Sequence, residues 1–432
     1  MKITIHRGID QIGGCITEIT TAEARIVIDL GQNLPRGDEE VKDNLASREA
    51  IESITSGVDA ILYTHIHGDH FGLFNLVPEG IPQYVGKVSK DVSICKLKRL
   101  GHIKGREKQT AGEIERVSKM SPIEASITIQ IKDIKITPYF VSHSAYDAFM
   151  FLIEADGFRL LHTGDFRSHG YLGKGLIPTI KKHIVGTGPV DILITEGTMV
   201  SRLVEDVKHE SELSGELTEI FKEKKNVFVW SSSTDLERLA TIYSAYQEIK
   251  RGPFVCDDYQ AEIFKIFSES AGTHAGIFKF GKAYTYSDGN LLLNNWMKKE
   301  GFCMLVRPTE KYSSYVDKIL PELDPAETVL IYSMWKEYIN PKSEHAKSDY
   351  LNFLAKFPEY RQIHTSGHAS PQCLAEVCNL VNPRLVIIPI HSEKSADFKS
   401  LAIRDELKER IITESYMFDN LDICLRGKVS NI

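Results

Sequence analysis

The sequence contains no CxxC pair, and its cysteines are few and scattered: Cys15, Cys95, Cys256, Cys303, Cys373, Cys378 and Cys424. An odd, dispersed set argues against a disulfide framework and fits a reduced, cytoplasmic setting. Long apolar runs are also missing, and Met1–Arg7 reads as a strand rather than a charged-then-apolar signal segment. No membrane span or secretory leader is therefore expected. An excess of positive charge is lacking too. The formal net charge is −7, whereas proteins that hold nucleic acid by bulk charge are usually basic. Any nucleic-acid partner must be held by a local patch or through metal ions. Repeats, low-complexity segments and long linkers are absent. What remains is an ordinary soluble composition over 432 residues, 42% of them hydrophobic. That is enough for two domains, or for one domain split by an insertion.

The most informative feature present is Thr64-His65-Ile66-His67-Gly68-Asp69-His70. Three imidazoles and a carboxylate so close together make a poor structural segment and a good metal site. The apolar run Val58–Tyr63 ahead of it reads as a buried strand that delivers a His-rich loop to the start of a helix. Neutral imidazole with carboxylate suits zinc and similar borderline metals.

Elsewhere short strands alternate with turns up to about residue 200. They are expected at 16–19, 24–29, 127–131, 134–140, 149–154, 158–161 and 190–195, with a basic helical stretch over 89–120. From about 201 the pattern becomes helix and strand in alternation, which predicts a small α/β domain with a parallel sheet. Helices are expected at 209–224, 234–250, 259–269 and 343–356. Four loops at predicted strand ends carry further ligand types: Val141-Ser142-His143-Ser144, Leu161-His162-Thr163-Gly164-Asp165, Ser366-Gly367-His368 and Pro389-Ile390-His391. Four such loops in a chain that also holds the His65 cluster are not well explained as packing residues.

The order His65-x-His67-x-Asp69-His70, then His143, then Asp165, resembles the ligand series of the metallo-β-lactamase superfamily. Glu196, His368 and His391 resemble the three further motifs of its β-CASP nuclease branch. The phrases His143-Ser144-Ala145-Tyr146-Asp147, His162-Thr163-Gly164-Asp165-Phe166 and Gln11-Ile12-Gly13-Gly14-Cys15 are most similar to the bacterial ribonuclease J family. The resemblance spans nearly the whole chain. It implies an α/β fold, an αββα metallo-β-lactamase sandwich interrupted by an inserted α/β β-CASP domain. The boundaries would be 1–200 and 361–432 for the sandwich and 201–360 for the insertion.

The resemblance also implies a two-metal site. His65, His67 and His143 would hold one zinc, and Asp69, His70 and His391 the other, with Asp165 bridging; manganese can replace zinc at such donors. Asp69, His368 and Glu196 would be the catalytic set. His368 would donate a proton to the leaving oxygen or stabilise charge on the phosphate, and Glu196 would orient it. The implied activity is hydrolysis of RNA phosphodiester bonds by a hydroxide that two zincs activate, leaving 5′-phosphate and 3′-hydroxyl. His391 favours RNA over DNA, because DNA-acting members of the branch tend to carry Val there. Single-stranded RNA is the expected partner, in a homo-oligomer or an RNA-processing complex. Gly197-Thr198-Met199 departs from the Ser-Thr-Tyr type stretch common in relatives. The accessory domains of ribonuclease J and of archaeal relatives have no counterpart in the sequence, so a nuclease core alone is expected.

Several residues carry two readings. Asp29 could orient the ligand loop or cap a turn. The stretch Lys96–Lys108 could contact phosphates or form a solvated helix face. Ser231–Thr234 could bind a phosphate or cap a helix. Trp230, Tyr259 and Trp335 could stack bases or fill a core. The rival activity is hydrolysis of a small molecule, a thioester, lactone or phosphodiester, because the superfamily's metal site alone does not fix the substrate. A non-enzymatic scaffold would lack ligands that this sequence has.

Overall fold

β-Branched residues in short alternating runs, separated by glycine turns, form the sheets. The structure is a computed structural model that describes residues 1–202, 207–271 and 276–412. The chain divides into two units, Met1–Leu34 with Lys42–Glu205 and Gly367–Ile432, and Pro35–Val41 with Asp206–Ser366.

The first unit opens with β1 (Lys2–Arg7), β2 (Ile16–Thr20), β3 (Arg25–Ile28), β4 (Ala60–Leu62), β5 (Gln83–Gly86) and β6 (Ser121–Ile123), which make one sheet in that order. Next come β7 (Ile129–Ile131), β8 (Ile134–Val141), β9 (Ala148–Ala155), β10 (Phe158–His162) and β11 (Ile192–Glu196). The second unit contributes β12 (Asn226–Ser231), β13 (Phe254–Cys256), β14 (Tyr284–Thr285), β15 (Phe302–Leu305), β16 (Thr328–Ser333) and β17 (Tyr360–Gln362). The chain then returns to the first unit with β18 (Val386–Ile390), whose sheet runs β18-β11-β10-β9-β8-β7.

Side-chain alternation explains the layering of the first unit. Ile26 and Ile28 of β3 face an inner core shared with Phe149, Phe151, Leu160, Ile194 and Ile388 of the other sheet. Val27, one residue out of phase, faces an outer core with Ile51, Leu97 and Val117 of the flanking helices. On the far side, Leu152, Leu161 and Ile387 pack against Leu374, Val377 and Val381 of the helix Pro371–Val381. The result is an αββα sandwich. In the second sheet β8, β10, β11 and β18 all run the same way, since β9 is antiparallel to β8 and β10 while β11 and β18 are parallel to β10. Their C-terminal ends therefore share one edge.

The second unit is a parallel sheet, β14-β13-β15-β12-β16-β17. Trp230 lies in its core against Tyr332, Tyr350 and Phe353, so packing accounts for it. The helix after β12 is capped by Asp235, whose carboxylate accepts from Arg238 N, and not by the Ser231–Thr234 hydroxyls. The helix expected over 343–356 begins only at Ser348. Asn340 takes the preceding backbone into a turn by accepting from Lys342 N on its side chain and from Ser343 N on its carbonyl, a local competition with helix. The basic stretch is two helices, Lys87–Leu100 and Glu107–Lys119, separated at Gly101 and Gly105.

Candidate metal centre

Six loops, all at C-terminal strand ends of the first unit, supply the site. Asp29 follows β3, the His65–His70 segment follows β4, His143 follows β8, Asp165 follows β10, Glu196 ends β11 and His391 follows β18. His368 precedes the helix Pro371–Val381, whose start is set by Pro371 in the first turn and by Ser370, which accepts from Cys373 N.

The His-rich segment is held by its backbone. Cys15 N donates to Asp69 O, Leu30 N to His70 O and Gln32 N to Gly68 O. Gly31 makes this approach feasible, because a Cβ there would sit 1.8 Å from Asp69 O. Asp29 and His391 both adopt left-handed backbone conformations, at φ 62° and 51°, which cost energy for residues with a Cβ and often mark functional sites. His391 N donates to Gly8 O at 2.6 Å, which holds that turn.

Two sets of donors emerge. In the first, His67 Nδ1 lies 3.2 Å from His65 Nε2 and 3.1 Å from His143 Nε2. In the second, His391 Nε2 is 3.1 Å from Asp69 Oδ2, and His70 Nε2 is 3.2 Å from Asp165 Oδ2. That same Asp165 oxygen is 4.0 Å from His65, 3.9 Å from His143 and 3.7 Å from His391, so it lies between the sets. Tetrahedral zinc with bonds of about 2.0–2.1 Å to nitrogen sets neighbouring ligand nitrogens roughly 3.3 Å apart. The three-His set already has that spacing.

Protonation suits the same role. Burial lowers the pKa of His65 and His143 well below the usual imidazole value and holds His67 down to about 4. Metal ligation needs neutral imidazole of this kind. At His70 burial also disfavours charge, yet the Asp165 and Asp29 carboxylates outweigh it and raise the pKa well above normal. Burial likewise opposes charge on Asp69 and Asp165, but the surrounding imidazoles hold both carboxyls below their ordinary range, with His391 contributing most in each case.

Outer contacts fix which ring nitrogen faces inward. His143 Nδ1 is 2.7 Å from Gly367 O, His70 Nδ1 is 2.8 Å from Asp29 Oδ2, and His391 Nδ1 is 2.7 Å from Thr198 Oγ1. Asp29 also accepts from Thr64 N and Thr64 Oγ1, which favours its loop-orienting reading over a local turn cap. The residues present therefore fit a pair of divalent cations.

Beside the donors, His368 Nδ1 sits 2.9 Å from Glu196 Oε2 and 3.2 Å from Thr198 Oγ1. The other Glu196 oxygen accepts from Phe166 N and Ala369 N. Burial alone would lower the His368 pKa, but Glu196 and Asp165 raise it above the ordinary value.

All nine residues singled out from the sequence converge here. His162, from the same loop as Asp165, does not. Its Nδ1 accepts from Gly164 N, a turn contact, and burial holds its pKa down to about 4. Thr198 and Cys15 were not read as site residues. Hydroxyl and thiol positions carry no spacing signal, although Thr198 lies in the stretch that departs from the family pattern.

The family model described as "Beta-lactamase superfamily domain" matches residues 25–215. That match places a domain of the beta-lactamase superfamily type in the first unit, and the relatives to which the chain is similar are ribonucleases. It is 24% identical to ribonuclease J of Helicobacter pylori (strain ATCC 700392 / 26695) over 95% of this chain and 59% of that protein. Ribonuclease J of Mycoplasma genitalium is 23% identical over 91% of this chain and 68% of its own length. Endoribonuclease ysh1 of Schizosaccharomyces pombe is 29% identical, over 33% of this chain and 19% of the relative. The chain thus spans about three fifths of the Helicobacter relative's length. A solved structure, a protein of unknown function from Enterococcus faecalis V583, superposes with TM-score 0.69 at 20% identity, covering 96% of this chain and 98% of that one; it shares the fold. Among the described residues no helix is long and apolar enough to cross a membrane.

Proposed function

We propose that the chain is a metal-dependent ribonuclease that hydrolyses phosphodiester bonds of single-stranded RNA, leaving 5′-phosphate and 3′-hydroxyl ends. His65, His67 and His143 would hold one zinc or manganese ion, and Asp69, His70 and His391 a second, with Asp165 shared. When bound, two such cations supply an activated water and offset charge on the phosphoryl oxygens.

The observation that carries the reading is the Glu196–His368 pair set against the donor cluster. Glu196 is buried and receives two backbone N–H groups on one oxygen, so its other oxygen is fixed toward His368. That carboxylate favours the imidazolium form and aims the ring. A protonated His368, more open to solvent than the buried ligands, is suited to give a proton to the departing 3′ oxygen. A thioester or lactone hydrolase has no evident use for the pair. The ribonuclease J relatives support RNA as the substrate class. A cytoplasmic location and an oligomer or RNA-processing complex accord with the same reading.

The test is to incubate protein with single-stranded RNA, matched DNA, nitrocefin and an acyl thioester, with zinc or manganese and with chelator. The expected result is cleavage of RNA alone, abolished by chelation. Turnover of the small substrates with RNA left intact would replace this reading with the small-molecule one.

A further inference from the structure

A pocket of about 500 Å³ opens in the first unit away from the metal donors, a volume inside the roughly 300–1,000 Å³ range of small-molecule sites. It lies where the chain enters β5, between residues 75–83 and the helix Glu107–Lys119. β4 and β5 are parallel, and the His65–His70 segment leaves the C-terminal end of β4, so the pocket occupies the opposite edge of that sheet. Two polar side chains of its lining, Gln83 and Glu113, are each only 8% exposed. Glu113 is held by one oxygen. Its Oε1 accepts from Gln109 Nε2 at 2.8 Å and from Asn75 Nδ2 at 3.2 Å, which uses both lone pairs of that atom. Gln83 is held the same way, with Oε1 accepting from Tyr63 Oη at 2.6 Å. Among the described residues, Glu113 Oε2 and Gln83 Nε2 have no partner. Buried polar atoms are normally paired. Here one acceptor and one donor, each fixed from behind, are left for a molecule that enters the pocket. Beside them Met120 and Ile81 add apolar surface. Arg116 gives one N–H to Val77 O and keeps the rest of its guanidinium without a partner among the described residues.

We propose that this pocket binds one nucleotide unit, with the Watson–Crick edge of the base on Glu113 Oε2 and Gln83 Nε2 and the phosphate on Arg116. The donor and acceptor pattern selects this class. An amine or guanidinium would satisfy Glu113 but offer Gln83 no acceptor. A bare phosphate or carboxylate would satisfy Gln83 and be repelled by Glu113. Each nucleobase carries an N–H beside an acceptor on its Watson–Crick edge, and proteins read unpaired bases there. The flat ring also suits the apolar surface of Met120 and Ile81, since a thioether packs well against an aromatic edge. The occupant is a free nucleotide or one nucleotide of an RNA chain, which present the same chemistry. No metal donor lines the pocket, so the proposal stands apart from the reaction at the metal centre.

The test uses the full-length protein labelled with carbon-13 at its methionine methyls, with the Met120 signal assigned by its loss in Met120→Leu. The monophosphates of adenosine, guanosine, cytidine and uridine are titrated in, beside ribose 5-phosphate, spermidine and a short RNA whose phosphorothioate linkages resist cleavage. A saturable shift of the Met120 signal is expected with one or more of the nucleotides or with the RNA. A shift with a mononucleotide marks a free nucleotide as the occupant, and a shift with the RNA alone marks a nucleotide of the chain. Glu113→Gln keeps an oxygen for Gln109 and Asn75 but turns an N–H toward the ligand. It should weaken binding about 10–100-fold, the worth of a hydrogen bond to a charged group. No shift with any nucleotide or the RNA, an equal shift with ribose 5-phosphate or spermidine, or unchanged affinity in Glu113→Gln would overturn the proposal. Cleavage does not enter the measurement, so a protein that fails to cut RNA can still support this site, and an empty pocket leaves the nuclease reading intact.

Discussion

Replacing Asp29 by Asn should weaken metal binding without touching any donor. Asp29 is fully buried. One oxygen accepts from Thr64 N at 2.7 Å, and the other accepts from Thr64 Oγ1 at 2.8 Å and lies 2.8 Å from His70 Nδ1. An amide cannot reproduce this. If its oxygen stays on Thr64 N, its NH2 faces His70 Nδ1, which must then accept, so the ring proton moves to Nε2, the atom that faces the cluster. If the amide turns over, two N–H groups meet at Thr64, and an unpaired buried donor costs about 1–3 kcal/mol. Outer partners of metal-bound histidines are typically worth 10–100-fold in affinity, or about 1.4–2.7 kcal/mol. Zinc competition against a chromophoric chelator, run on both proteins at one pH, should show one of two cations bound that much more weakly in Asp29→Asn. Unchanged affinity for both cations would refute the claim that Asp29 selects the His70 tautomer.

Two further substitutions separate roles. His368→Ala should lower RNA cleavage by about 10²–10⁴-fold, the usual worth of a positioned acid, while the protein still binds two cations; full activity would remove His368 from the chemistry. Asp147 is a stability case. It accepts from Val88 N and Ser89 N at the start of the helix Lys87–Leu100, yet burial raises its pKa from 3.8 to about 6. A raised carboxyl pKa means that its contribution is fully present below about pH 4 and is lost as pH rises through 6. The shift corresponds to about 3 kcal/mol. Asp147→Asn should therefore flatten the pH dependence of urea stability across that window in chelator-treated protein, and an unchanged dependence would contradict the assignment.

Much of the centre was legible because its chemistry clusters in sequence. His65, His67, Asp69 and His70 share one loop, and strand-end positions betray His143, Asp165 and His391. The αββα layering was an implication of the family resemblance, while apolar runs such as Arg25–Ile28 marked only the individual strands. Contacts between distant loops were not legible. Thr198 meets both His368 and His391 only because β11 and β18 are neighbours, and Cys15 reaches the cluster only through the close approach that Gly31 permits. The exact start of the helix at Ser348 was hidden because a side-chain turn at Asn340 competes with helix locally. Asp235 took the capping role because a carboxylate directly before the first helical residue reaches Arg238 N.

The central claim is that this cluster cuts RNA with bound metal. It is tested most directly by giving 5′-labelled single-stranded RNA to zinc- or manganese-loaded protein beside its Asp69→Ala variant, with bound metal counted in both. Cleavage by the parent alone is expected, with fragments ending in 3′-hydroxyl and fewer cations in the variant. An intact RNA despite two cations bound per parent chain, or equal cleavage by Asp69→Ala, would contradict it.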